Sequence, residues 1–247
     1  MMKSSILAAA VGLAALLGAM LGATQARAYE AITVTDGGSL SGTVKYAGTP
    51  PTPAKFEVTK DVEVCGKESK EKTDPKLLVG AGGGIQDVAV VVKATKGKAL
   101  QVPTEPVTFD QNGCEYKPHV LAFPAGSTVA VLNSDGILHN VHVMGKENPE
   151  ANRAQPKFQK KIDWKVDKPE WPIAVKCDAH PWMHAYWLSM DQPYYAVTDA
   201  DGNFKITDIP PGDYEVEVWQ GELGKKTEKV TIKPKEDTKV DWSMSKS

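Results

Sequence analysis

Cys177, His180 and Met183 stand three residues apart in Lys176-Cys177-Asp178-Ala179-His180-Pro181-Trp182-Met183, which puts a thiolate, an imidazole and a thioether within one short segment. Sulfur donors combined with imidazole select copper over the hard cations. Pro181 has no backbone N–H and disfavours helical backbone at His180, so the segment is expected as a tight loop whose three side chains converge. A second imidazole must come from elsewhere. The candidate is His139, in Asn133-Ser134-Asp135-Gly136-Ile137-Leu138-His139-Asn140-Val141-His142-Val143. Other uses of these residues fit less well. Methionine is a poor zinc ligand. A nucleophilic Cys177 with His180 as its base lacks an orienting third group and an oxyanion segment. A buried cysteine, a surface histidine and a core methionine would leave the context of His139 without a role.

The elements that must position these groups read as strands. In His139–Val143, period-2 geometry puts His139, Val141 and Val143 on one face and Asn140 and His142 on the other. His139 therefore faces a core and His142 does not, so the two are not expected to share a metal. Ser127 to Leu132 alternates, as do Phe158, Ile162, Trp164 and Val166; Ile173 and Val175 lead into Cys177, and Tyr186, Leu188 and Met190 follow the loop. Upstream, Phe56, Val58, Val62 and Val64 alternate toward Cys65, and Val88 to Lys93 is a continuous apolar run expected as a strand buried on both faces. Residues 66–76 and 145–160 are polar and are expected as loops. Gly80-Ala81-Gly82-Gly83-Gly84 lacks the Gly-Lys-Ser/Thr ending of a phosphate loop and is read as a turn. From Pro193 a second pattern begins, with turn signals at Asp201-Gly202 and Pro211-Gly212 between alternating strands. No long amphipathic helix is expected after the leader. The fold class is all-β, as two packed sandwiches.

Leu138-His139-Asn140-Val141-His142 and Cys177-x-x-His180-Pro181-Trp182-Met183 resemble the two copper-binding segments of the cupredoxins, the type 1 (blue) copper proteins of the amicyanin and plastocyanin kind. The resemblance covers roughly residues 119–190. It implies a Greek-key β-sandwich holding one type 1 copper through His139, Cys177, His180 and an axial Met183, with Asn140 anchoring the ligand loops by hydrogen bonds. It departs at Trp171-Pro172-Ile173-Ala174-Val175-Lys176, where such proteins approach the cysteine through Gly-x-Tyr-x-Tyr/Phe-x. The stretch Thr198–Trp219, with Val230-Thr231-Ile232 and Val240-Asp241-Trp242, resembles the carboxypeptidase regulatory-like (transthyretin-like) β-sandwich, usually a non-catalytic module. At about 55 residues it is short, and an early strand near Gly42-Thr43-Val44 is a candidate to complete it.

The function implied is one-electron transfer between exported redox partners rather than enzyme catalysis. Electrons would pass at His180 on an exposed loop, with Trp182 either packed beside it or forming a docking tip for a c-type cytochrome or another exported redox protein. The alternative is a periplasmic copper-carrying or oxidase-assembly protein; a third reading is a structural sandwich with an incidental copper site. His142 and His184 are read as surface or supporting residues, and a second metal at His119 or His142 is left open.

Composition sets the remaining bounds. Lys3, an apolar run from Ile6 to Leu21 and Ala26-Arg27-Ala28 read as a cleaved leader, residues 1–28, with periplasmic or other export as the expected destination and no membrane contact expected after cleavage; the alternative is an uncleaved membrane anchor, for which the run is short. The remainder, 219 residues with 27 basic and 31 acidic side chains, is net acidic, which disfavours nucleic acid. The expected division is a copper domain with an N-terminal β extension over 29–190 and a module over 191–247. If Cys177 is a metal thiolate, Cys65 and Cys114 remain to pair in an oxidising compartment; the alternative is that both are free and buried.

Overall fold

The computed structural model describes residues 29–246, so the leader expected over 1–28 lies outside the described residues. Among them the only helix is one turn. In chain order come β1 (Glu30–Ala31), β2 (Gly38–Tyr46), β3 (Lys55–Glu57), α1 (Val62–Cys65), β4 (Glu71–Thr73), β5 (Ala89–Val92), β6 (Lys96–Gly97) and β7 (Val107–Gln111). Next are β8 (Tyr116–Lys117), β9 (Val120–Pro124), β10 (Ser127–Asn133), β11 (His139–Met144), β12 (Ala151–Gln155), β13 (Lys161–Val166), β14 (Glu170–Lys176) and β15 (His184–Met190). The chain closes with β16 (Tyr195–Val197), β17 (Asn203–Ile209), β18 (Gly212–Gln220), β19 (Gly224–Ile232) and β20 (Asp237–Met244).

The all-β class and the two sandwiches are as expected. In the first, a sheet ordered β13-β10-β7-β8 faces one ordered β12-β11-β14-β15-β9. The chain passes repeatedly between these sheets, as in a Greek-key sandwich. Alternation does the sorting: β13 buries Ile162, Trp164 and Val166 and exposes the residues between, and β11 buries His139, Val141 and Val143. Trp187 is fully buried at the centre, with edge-on contacts to Phe109 at 5.3 Å, Phe123 at 6.0 Å and Trp164 at 6.0 Å. Such pairs contribute about 0.5–1.5 kcal/mol each beyond their burial.

The second sandwich pairs a β16-β5-β18-β19 sheet with a β17-β2-β20 sheet. Sheet membership here does not follow a cut at residue 190. β2 runs parallel to β20, with Val44 opposite Trp242, and β5 pairs with β18, Val90 opposite Val218. β2, which carries the Gly42-Thr43-Val44 named as a candidate to complete the module, does belong to the second sandwich, and so does β5, from the region expected as the N-terminal extension of the copper domain; the strands from β7 to β15 lie between its halves in the chain. The physical reason is coverage: the 57 residues of 191–247 are too few to close two sheets over one core.

The two sandwiches meet face to face. Val90 and Val92 of β5 enter the second core, while Ala89 and Val91 on its other face join Val120, Leu188, Met190 and Trp219 in a joint. That is why β5 is apolar at every position. Tyr186 and Trp219 pack edge-on across the joint, ring centres 5.0 Å apart.

Two segments expected as loops contain strands. Ala151–Gln155 is the edge strand β12, paired with β11; only Gln155 is buried, so no apolar alternation marked it. Glu71–Thr73 is β4, paired with β3 in a small hairpin with no buried side chain. Conversely, the alternating run from Phe56 to Cys65 is not one strand. It breaks at Asp61, which adopts a left-handed φ of 48°, and continues as the single turn α1.

Candidate metal centre

Register brings four connections to one end of the first sandwich. Gln111 lies opposite Asn133, Leu132 opposite Lys161, His139 opposite Gln155, and His142 opposite Lys176. The turns 112–115, 134–138, 156–160 and 177–183 therefore cluster there. β14 carries Cys177 inward at its end, in phase with Ile173 and Val175, which pair regularly with β15; a register shift between Glu170 and Ile173 precedes them. The loop closes on itself, the Cys177 amide donating to the Met183 carbonyl at 3.1 Å and the Met183 amide to the His180 carbonyl at 2.9 Å.

His139, Cys177 and His180 come together. Cys177 Sγ lies 3.8 Å from His139 Nδ1 and 3.7 Å from His180 Nδ1. Both imidazoles are fully buried, Cys177 and Met183 are 2 % exposed, and the two sulfur residues sit in one apolar cluster. The donor spacing fits a metal: sulfur and nitrogen ligands at about 2.3 and 2.0 Å from an ion, about 120° apart, stand roughly 3.8 Å from each other. Two further groupings, Cys65 with Cys114 and His180, and Cys114 with Asp135 and His139, also bring donor atoms close. Both depend on Cys114, whose sulfur is already bonded to that of Cys65. The disulfide expected as one of two alternatives is present, and Cys177 is the free thiol.

Each imidazole is held from behind by a carboxylate. His139 Nε2 is 2.9 Å from Asp135 Oδ2, and His180 Nε2 is 2.9 Å from Asp61 Oδ2. These contacts hold each ring at Nε2 and turn its Nδ1 toward the sulfur. Asp135 also accepts the amides of Gly113 and Cys114 at 2.6 and 2.9 Å, and His139 with these amides keeps its carboxyl below the usual range although burial works the other way. Burial opposes charge at His139 too, but Asp135 and Cys177 prevail and push it up to about 9. Burial would raise Cys177, yet hydrogen bonds from His139, His180 and the Asn140 amide bring it down to about 6. Metal ligation by these groups requires a thiolate and an imidazole nitrogen free of its proton, so a bound cation would displace protons from this cluster.

The role expected for Asn140 belongs mainly to its backbone, whose N–H reaches Cys177 Sγ at 3.3 Å. The side chain bonds Asn152 at 3.2 Å, which in turn bonds Asp178 of the ligand loop. Tyr116 adds a tie between the ligand strands, its hydroxyl 2.5 Å from the Asn140 carbonyl and 3.0 Å from that of Lys176.

The expected exposure of His180 is overturned. Residues 55–73 form a flap over the ligand loop. Phe56 stacks on Trp182 at 5.7 Å, Val58 and Cys65 are buried in the sandwich core, and the disulfide fixes α1 to the β7–β8 turn. Trp182 is packed rather than offered as a tip; its indole N–H donates to the Cys114 carbonyl at 3.1 Å. Asp135 stood in plain view four residues before His139 but looked like part of a turn. Asp61, 119 residues from His180, had no signal of its own.

His142 points away, toward Glu150 at 2.9 Å and Asp178 at 3.5 Å. His119 and His184 form a separate pair, 3.2 Å apart, with His184 bonded to Asp74 and His119 facing Asp87.

Residues 170–240 match the family model described as "Polysaccharide lyase family 4, domain II", a stretch that straddles the two sandwiches. The carboxypeptidase regulatory-like reading of the C-terminal strands is not the description returned there. No curated protein matches the chain. Similar solved structures include a copper-containing nitrite reductase from Thermus scotoductus SA-01, 27% identical with a TM-score of 0.30, covering 38% of this chain and 24% of that one. A purple cupredoxin from Nitrosopumilus maritimus is 17% identical with a TM-score of 0.29, covering 34% of this chain and 99% of that one. Amicyanin from Paracoccus versutus is 20% identical with a TM-score of 0.31, covering 41% and 97%. At these TM-scores the chemistry of this chain is read from its own side chains.

Proposed function

We propose that this chain is an exported one-electron carrier in which His139, Cys177, His180 and Met183 would hold a copper ion. Copper in such a donor set supplies a Cu(II)/Cu(I) couple that needs little rearrangement on electron transfer. The observation that carries the reading is a soft donor set closed on every side. The Nδ1 atoms of two fully buried imidazoles face one sulfur at 3.7 and 3.8 Å, and no ligand is presented to solvent. An enzyme needs an open position for substrate, and a copper-delivering or oxidase-assembly protein needs ligands that an acceptor can reach. Burial works against both and suits transfer through the protein.

The residues around the centre do the rest. Asp135 and Asp61 hold the two rings at Nε2, the Asn140 amide holds the sulfur, and the flap keeps water out. Among the described residues no helix is long and apolar enough to cross a membrane, and export rests on the leader expected from the sequence.

Two variants test the ligand set. His139→Ala is expected to lose copper affinity by orders of magnitude while His142→Ala stays within a few-fold of the parent, as competition with a chelator will show; equal losses refute the assignment. Met183→Leu is expected to keep its copper and raise the reduction potential, because removing a thioether donor disfavours Cu(II) more than Cu(I). An unshifted or lowered potential in voltammetry removes Met183 from the ligand set.

A further inference from the structure

The site end of the first sandwich is not covered evenly. The flap of residues 55–73 seals the His180 side through Asp61 and the Phe56–Trp182 stack. The second sandwich covers the outer face of β9 and β15 through Val120, Leu188 and Met190. What stays open is the pair of turns 134–138 and 156–160, which run side by side because each connects the same two sheets at the same end. Lys160 ties them further: its Nζ lies 3.5 Å from where a Cβ on Gly136 would stand.

These turns carry the two most exposed large apolar side chains among the described residues, Phe158 at 80% and Leu138 at 51%. Lys157 and Lys160 flank Phe158, are exposed, and make no ion pair among the described residues. Asp135, the nearest carboxylate on the first turn, is turned inward to His139 and does not neutralise them. Leu138 is the chain neighbour of His139, so a few covalent bonds separate this surface from an imidazole that faces Cys177.

We propose that Leu138 and Phe158, rimmed by Lys157 and Lys160, form the docking surface for an acidic one-electron redox protein, with His139 rather than His180 as the route to the centre. The proposal rests on the electron-carrier reading. An apolar centre with a charged rim gives a small, fast-exchanging contact, in which the rim sets the association rate. The partner's charge follows from the rim. Because the chain as a whole is net acidic, an acidic partner is repelled in general, and any attraction to it must be local.

A plant-type ferredoxin serves as the acidic probe and a mitochondrial cytochrome c as the basic one. In stopped-flow mixing of the Cu(II)-loaded protein with the reduced probe, one electron passes from the ferredoxin, which is oxidised, to the copper, which becomes Cu(I), and the bimolecular rate is expected to fall as salt rises. It is expected to drop at least tenfold at low salt in Lys157→Glu/Lys160→Glu and severalfold in Phe158→Ala, while Lys67→Glu on the flap leaves it unchanged. A second measurement needs no copper: amide shifts of the metal-free protein on adding ferredoxin are expected in residues 134–138 and 156–160. Shifts there with no copper-dependent transfer would keep the surface and refute the carrier reading. Shifts centred on residues 55–73, no shifts at all, or a preference for the basic cytochrome would overturn the proposal.

Discussion

Cys177→Ser will be colourless with copper while keeping its fold. The intense visible absorption of a copper–thiolate centre needs a thiolate, and among the described residues only one cysteine sulfur is free to supply it. The other close donor groupings use Cys114, which is consumed in the disulfide. The substitution changes one buried atom, and the β14 backbone that carries it is fixed by pairing on both sides, so folding should survive. The optical spectrum tests the centre and far-ultraviolet circular dichroism the fold. An unchanged visible band would place the chromophore elsewhere and end the assignment.

The candidate donor residues were legible in the sequence because their signals are local. Cys177, His180 and Met183 share one loop, and alternation alone separated His139 from His142. What supports them was legible only where it too was local. Asp135 lies within the same turn-and-strand segment as His139, yet its role depends on where the Gly113 and Cys114 amides end up. Asp61 comes from a segment whose hairpin strands bury nothing and whose one helical turn is too short to show a period, so no pattern pointed from it to His180. The same limit explains the sheets: the shortness of the C-terminal module pointed to β2 as its missing strand, but β5 looks like a generic buried strand, and only its pairing with β18 assigns it to the second sandwich. The exposure expected of His180 failed for this reason. It was a property of the loop taken by itself, and the flap that covers the loop is specified elsewhere in the chain.

Opening the flap is the change with the largest expected effect on the closed character of the centre. Cys65–Cys114 spans 49 residues, and in the chain-entropy model its loss costs about 4 kcal/mol. In a chain of this size that is a fall in melting temperature of about 8–16 °C. The flap has little else to hold it: β3 and β4 pair mainly with each other, and its apolar anchors are Phe56, Val58 and Val62. In Cys65→Ala/Cys114→Ala the β10–β15 core remains, so the ligands should still assemble, but Asp61 no longer stays on His180 and solvent reaches the ring. Transfer of Cu(I) to a chelator is then expected to accelerate at least tenfold over the parent. Asp61→Ala, with the disulfide intact, separates the two contributions: it removes the carboxylate from His180 Nε2 without freeing the flap, and should speed release less than the double variant while leaving the melting temperature nearly in place. If the double variant releases copper as slowly as the parent, the flap is not what closes the centre, and the burial on which the electron-carrier reading rests would have to come from the ligand loop alone.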